Sequence, residues 1–249
     1  TKQMADTAAQ QWDSSIGHLS DTHMQVLYED NHIIIVNKAP GEIVQGDKTG
    51  DTPLSETVKA YLKEKYNKPG NVFLGVAHRL DRPVSGVVVF AKTSKALSRL
   101  CDMFRNSKVK KTYHALLPTA DLKRPITEQP LELEHHLLKN EKQNKSYVRP
   151  AGTPGAKLAR LDVRRIGQSD RYTLVEVHLH TGRHHQIRCQ LSASLAPIKG
   201  DLKYGDRRSN PDASICLHAR EITFTHPVSQ NPIHITAPYP SLPLWQVFE

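Results

Sequence analysis

Asp81 stands in the run His78-Arg79-Leu80-Asp81-Arg82-Pro83-Val84-Ser85-Gly86, a single carboxylate with an arginine two residues before it and another directly after. A nearby cation favours the ionised form of an acid. An ionised carboxylate can attack carbon or accept a proton, but it has no proton to give. A loop salt bridge is the commonest meaning of an Asp–Arg pair, so the surroundings have to decide. Apolar runs lie on both sides, Val72 to Ala77 and Val87 to Ala91. Such runs read as two buried strands, which would hold the Asp81 loop between rigid ends.

Further motifs follow in a fixed order. They are Leu27 to Gly41 (LYEDNHIIIVNKAPG), Lys110 to Leu117 (KKTYHALL), His180 to Leu191 (HTGRHHQIRCQL), Pro197 to Gly205 (PIKGDLKYG) and Leu217 to Pro227 (LHAREITFTHP). Together with HRLDRPVSG they resemble the RluA family of RNA pseudouridine synthases over roughly Leu27 to Pro240. The resemblance implies that Asp81 is the catalytic carboxylate and that Arg183, of the TGR segment, pairs with it. It implies that Tyr113 packs on the target uracil and takes part in removing the C5 proton, and that Arg79 enters the RNA stack where the base leaves.

Arg82, Lys108, Lys110, Lys111 and Arg188 are candidate phosphate contacts. His78 and His185 are candidate supports of the site. Three departures stand out: Val84 where many relatives have threonine, His184 where threonine or serine is usual, and no glycine in Ser194-Leu195-Ala196-Pro197. The first two read as minor. The third predicts a strained left-handed turn.

Making pseudouridine requires breaking the bond from N1 to C1′, turning the uracil and rejoining it through C5. No redox step and no net hydrolysis occurs, so neither a cofactor nor a metal is required. The carboxylate could add to C1′, add to C6 or remove a sugar proton, and the sequence leaves all three open. A zinc site at His184, His185 and His218 is disfavoured, because adjacent helical side chains point about 100° apart and no CxxC or HExxH pair accompanies them. A two-metal nuclease would need clustered carboxylates, and the motif loop has one. A non-catalytic RNA binder on the same fold would have no need of Asp81, Tyr113 and Arg183 together.

Composition fits a polyanion partner. The 249 residues carry 34 Lys and Arg against 25 Asp and Glu, a net charge of +9. That surplus is segregated: the stretches His78 to His114 and Lys157 to Arg208 are net positive and the remainder net negative. Structured RNA, ribosomal before transfer RNA, is the expected partner. The three cysteines form no cluster and suggest a reduced, cytoplasmic protein. No apolar stretch approaches the roughly 20 residues that span a bilayer, so no membrane partner is expected, and the working state is a monomer.

The elements must then position these groups. Residues 1–22 are polar and read as a loosely packed lead-in, too short for an S4 RNA-binding module. Residues 23–249 read as one catalytic domain, α+β in class, with a long and mostly antiparallel mixed sheet, flanking helices and a central cleft. Met24 to Tyr28 and Ile33 to Asn37 predict a hairpin. Thr52 and Thr93 are expected N-caps of two helices. Lys108 to Leu117, Ala156 to Ile166 and Tyr172 to His180 predict strands. Leu131 to Arg149 is ambiguous, with a solvated loop over Lys139 to Lys145. Thr181-Gly182 is expected to open a helix, and Glu221 to Thr225 and Ile233 to Ala237 are expected to close the sheet.

Overall fold

The computed structural model describes residues 24–249, so the lead-in expected at 1–22 lies outside the described residues. Strands β1 (Gln25–Glu29) and β2 (Ile33–Lys38) form the expected antiparallel hairpin. Asp30 closes the turn, its Oδ1 accepting from His32 N at 2.7 Å and Ile33 N at 2.9 Å. Ile33 to Val36 are wholly buried, so this strand is covered on both faces, as an unbroken apolar run requires. The same holds for β4 (Ser85–Ala91), which pairs antiparallel with β2. The run from Val72 to Ala77 gives only the two-residue β3 (Gly75–Val76), at the far end of β4.

Helix α1 (Leu54–Lys65) begins one residue later than expected, and Thr52 does not cap it. The N–H groups of Leu54 and Ser55 donate instead to the Ile43 and Val44 carbonyls, at 2.7 and 3.1 Å. The incoming chain thus satisfies donors that a threonine would otherwise serve. Helix α2 (Ser94–Arg105) is capped by Thr93, whose side chain accepts from Ala96 N as expected.

The remaining strands are β5 (Lys110–Pro118), β6 (Leu131–Asn140), β7 (Lys145–Arg149), β8 (Lys157–Gln168), β9 (Tyr172–Leu179), β10 (Leu217–Thr225) and β11 (Pro232–Thr236). The ambiguous stretch resolves into the β6–β7 hairpin, with the polar turn near where solvation placed it. Two more helices, α3 (Gln186–Ser194) and α4 (Pro243–Gln246), complete the order. The sheet runs β1-β2-β4-β10-β5-β9-β8-β6-β7, with β3 and β11 attached to β4 and β10. This is the expected α+β class with a long, mostly antiparallel sheet.

Every pairing in the sheet is antiparallel save one: β4 and β10 run parallel, and they meet at only two register pairs, His218 with Ser85 and Ala219 with Gly86. That narrow seam joins the β1-β2-β4 half to the longer half. At Gly86, φ is +121°, and a Cβ placed there would come within 2.3 Å of the Ala219 carbonyl oxygen. Only glycine lets the two backbones approach so closely. The end of helix α3 differs from expectation: Leu195 takes φ −124° and ψ −80°. The missing glycine therefore leaves no left-handed residue there, and the strain it predicted does not arise.

Gly86→Ala is accordingly expected to destabilise the fold by more than about 2 kcal/mol, from left-handed strain plus a backbone clash. Urea unfolding followed by circular dichroism reads the change. A loss under about 0.5 kcal/mol would mean that the seam yields easily.

Candidate active site

Asp81 lies at the seam, in the loop that enters β4. The loop is held by its carbonyls. Val84 N donates to Asp81 O at 3.0 Å, Gly41 N to Arg82 O at 2.7 Å, and Ile215 N to Pro83 O at 3.2 Å. Lys38, fully buried, adds a fourth tie, its Nζ donating to Arg82 O at 3.0 Å and to Ala39 O at 2.9 Å. Burial pushes the Lys38 amine down to about 7, against the opposing pull of Glu42 and Asp81. Because backbone groups fix the loop, the Asp81 side chain is left free. It is 40% exposed, and among the described residues nothing donates a hydrogen bond to it.

Two side chains come near it. Arg188 Nη1 and His185 Nε2 each lie 3.6 Å from Asp81 Oδ2, too far for a good hydrogen bond, and of the two only the guanidinium brings a charge. The guanidinium beside Asp81 is therefore Arg188, and not Arg183 as expected. Arg188 is buried, and it grips Asp201 with two bonds, Nε to Oδ2 at 2.7 Å and Nη2 to Oδ1 at 2.8 Å. Burial works against that charge, but Asp201 and then Asp81 hold the guanidinium above its ordinary range. An arginine buried in this way is not a surface phosphate contact, which corrects the expectation for Arg188.

Arg183 sits elsewhere because the TGR segment is a turn. The helix begins only at Gln186, since His185 is left-handed at φ 51°, a conformation that interrupts a right-handed helix. Gln186 organises the turn: its Oε1 accepts from Thr181 Oγ1 at 2.7 Å and Arg183 N at 3.0 Å. Arg183 is exposed, with Nε donating to Leu158 O at 2.9 Å.

His185 is buried and accepts from Arg188 Nη1 at 3.3 Å through Nε2. Arginine has only donors, so this imidazole is neutral and turns its Nδ1–H to Tyr204 Oη, 2.8 Å away. Burial first, and Arg188 second, depress it to about 2. His78 is also neutral: Val89 N donates to its Nε2 at 2.9 Å, the ring stacks on Phe104 at 4.4 Å, and burial holds it at about 3.

Asp81, Arg188, Arg183, Arg79, Tyr113 and Lys111 all line one cleft of about 140 Å³, with Leu80, Val84, Ile187 and Leu217 among its apolar walls. Tyr113 is buried on β5, and no hydrogen bond to its hydroxyl is found among the described residues. Burial, then the Asp81 charge, raises the phenol well above its usual range, so it keeps its proton at neutral pH. Lys111 follows on the same face of the strand, a cleft residue with an amine depressed by burial. Lys108 and Lys110 are exposed and do not line the cleft.

Arg82 turns away from Asp81. It pairs with Asp51 at 2.9 Å and Asp47 at 3.3 Å and donates to Gly41 O at 3.1 Å. Two carboxylates and a carbonyl already occupy it, which removes it from the phosphate contacts. Asp201 and Tyr204, which hold Arg188 and His185, carried no assignment from sequence, although both fall in the PIKGDLKYG motif.

A family model described as RNA pseudouridylate synthase matches residues 32–193. The chain belongs to this family. Its members isomerise uridine to pseudouridine in RNA. A ribosomal large subunit pseudouridine synthase C from Vibrio vulnificus is 35% identical over 219 residues, covering 86% of this chain and 65% of that protein. The chain thus spans just under two thirds of that relative's length. A tRNA pseudouridine synthase C from Vibrio cholerae is 33% identical over 226 residues, covering 86% of this chain and 90% of that protein. The solved human RNA pseudouridylate synthase domain containing 4 aligns at a TM-score of 0.71 with 21% identity, over 90% of this chain and 92% of that one, which shows the shared fold.

Two outcomes follow for stability. Asp201→Ala leaves Arg188 buried without its main partner and is expected to cost about 3–5 kcal/mol. Asp81→Asn removes only a partly exposed, 3.6 Å ion pair and is expected to cost less than about 1 kcal/mol. Denaturant unfolding of the two variants checks the contrast.

Acid should also weaken the fold. His78, His185 and buried His218 stay neutral in the folded state down to about 3, about 2 and about 4. Unfolded imidazoles bind protons below about 6.5. Between those values the unfolded chain holds more protons, so stability falls as pH drops below about 6.5. Glu29, held at about 2 by Lys92, Tyr66 and Lys65 against the opposing effect of burial, adds to the loss below 4.5. Calorimetry between pH 7 and pH 4 should show a steadily falling thermal midpoint. A midpoint unchanged across that range would contradict neutral burial of these rings.

Proposed function

We propose that this chain isomerises specific uridines in structured RNA, with Asp81 as the group that acts on the nucleoside. One observation carries the reading: an exposed carboxylate, free of hydrogen bonds from the described residues, faces a base-sized cleft with Arg188 behind it and the Tyr113 phenol in the wall. Attack at C1′, addition at C6 and removal of a sugar proton all require such a carboxylate. Arg188 orients it and balances its charge without tying up its oxygens.

Tyr113 offers a flat apolar face to the uracil. As a protonated phenol it can take the C5 proton only by passing on its own, and Asp81, whose charge already acts on it, is the acceptor. Reaching a paired or stacked uridine costs a few kcal/mol for unstacking. Exposed Arg79, lining the cleft, would fill the gap left in the RNA. Arg183, Lys108 and Lys110 are placed for phosphates, since each is exposed and none is neutralised by a carboxylate within 4 Å among the described residues. Lys111, recessed in the cleft wall, is placed for the nucleotide itself.

Ribosomal RNA is the proposed target, with transfer RNA second; the names of the two relatives include one of each. The protein would act as a monomer in the cytoplasm. Among the described residues no helix is long and apolar enough to cross a membrane.

Mapping pseudouridines in total RNA from cells with and without the gene names the target. Tritium release from C5-labelled uridine in transcribed RNA measures the reaction. Asp81→Asn is expected to lower release by at least about a thousandfold, well above the roughly hundredfold lower bound of acid–base assistance, while RNA binding stays within about threefold. Release at the parental rate would remove Asp81 from the chemistry.

A further inference from the structure

The β6–β7 hairpin carries surface that the chemistry at Asp81 does not use. Lys145, Tyr147 and Arg149 alternate along β7 and therefore share one face of the last strand in the sheet. Lys145 Nζ lies 5.0 Å from the centre of the Tyr147 ring, and Arg149 Cζ lies 4.8 Å from it. Lys142 adds positive charge, while Lys139 pairs at 3.0 Å with Glu141, the only acid between residues 139 and 149.

The other face of β7 ties the hairpin to the cleft. Ser146 Oγ bonds His184 Nδ1 at 2.7 Å, Asn144 Oδ1 bonds His184 Nε2 at 3.0 Å, and Ser146 N donates to Tyr204 Oη at 2.9 Å. His184 in turn stacks on His185 at 3.8 Å. From the basic, aromatic face, Lys145 Nζ also lies 5.4 Å from the centre of the Tyr204 ring, which holds His185 beside Asp81.

We infer that this face of the hairpin is a platform for single-stranded RNA entering the cleft, with a base stacked on Tyr147 and phosphates on Lys145 and Arg149. The inference rests on the proposed action on RNA. A ring flanked by two cations at strand spacing matches a ligand that alternates flat bases with negative charge. A peptide added to the sheet edge would pair with the β7 main chain and need neither the ring nor the guanidinium.

Binding is measured with the Asp81→Asn protein, so that turnover does not intervene, on deproteinised large-subunit ribosomal RNA and on an oligouridylate. Adding Tyr147→Ala should weaken both affinities about tenfold, and Tyr147→Phe should restore them to within about twofold. Lys145→Ala with Arg149→Ala should lower the slope of log affinity against log salt by about one to two. In the otherwise unaltered enzyme, Tyr147→Ala should raise the KM for RNA and leave kcat in place. Thermal midpoints confirm that the variants fold. Equal affinity of Tyr147→Ala and parent overturns the platform and leaves edge pairing by a peptide as the use of β7. Failure of Asp81→Asn with an intact hairpin to bind either RNA overturns the RNA reading of the cleft as well, and so is told apart from loss of the platform alone.

Discussion

The site depends on how one guanidinium divides its bonds. Arg188 gives two nitrogens to Asp201 at bonding distance and leaves the third near Asp81 and His185. The tight pair keeps a charge inside the protein, which an unpaired arginine could not do without a cost of several kcal/mol. The loose contact supplies field without a hydrogen bond. A carboxylate bonded directly at 2.7 Å would be better held and less reactive. Asp201 therefore makes it possible for Arg188 to be buried, and in the proposed reaction it would support Asp81 from a distance.

The same economy runs through the loop. Lys38, Gly41 and Ile215 all hold carbonyl oxygens of residues 82 and 83, and Arg82 anchors the 41–51 segment from outside. None of these contacts touches the Asp81 side chain. Position is fixed through the backbone, and the side chain proposed to meet substrate is left open. Beside Arg188, the neutral His185 ring takes one further bond from the guanidinium and is itself held by Tyr204.

The sheet and most of its strands were legible because their apolar runs and alternation are strong, as in Ile33 to Val36 and Val175 to Leu179. That Asp81 and Tyr113 would face one cleft was legible through motif and chemistry. The partner of Asp81 was not. Arg183 and Arg188 are five residues apart in one motif, and choosing between them needed the left-handed turn at His185, which a histidine codon does not announce. Arg82 was misread because adjacency in sequence was taken for adjacency of side chains. Thr52 was misread because a backbone carbonyl from residue 43 reached the helix first. His184, which looked like a minor departure, turned out to join the β6–β7 turn to the site through two hydrogen bonds.

The two-residue seam between β4 and β10 has its own consequence. Elsewhere neighbouring strands share five or more register pairs in most pairings, so altering their mutual twist would break many bonds together. Along the path from β1 to β7 the loss is smallest at the seam. Accommodation to a bulky, irregular guest should therefore concentrate as a slight scissoring of the two half-sheets about Gly86, with each half moving as a stiff blade and the reactive loop riding on the pivot.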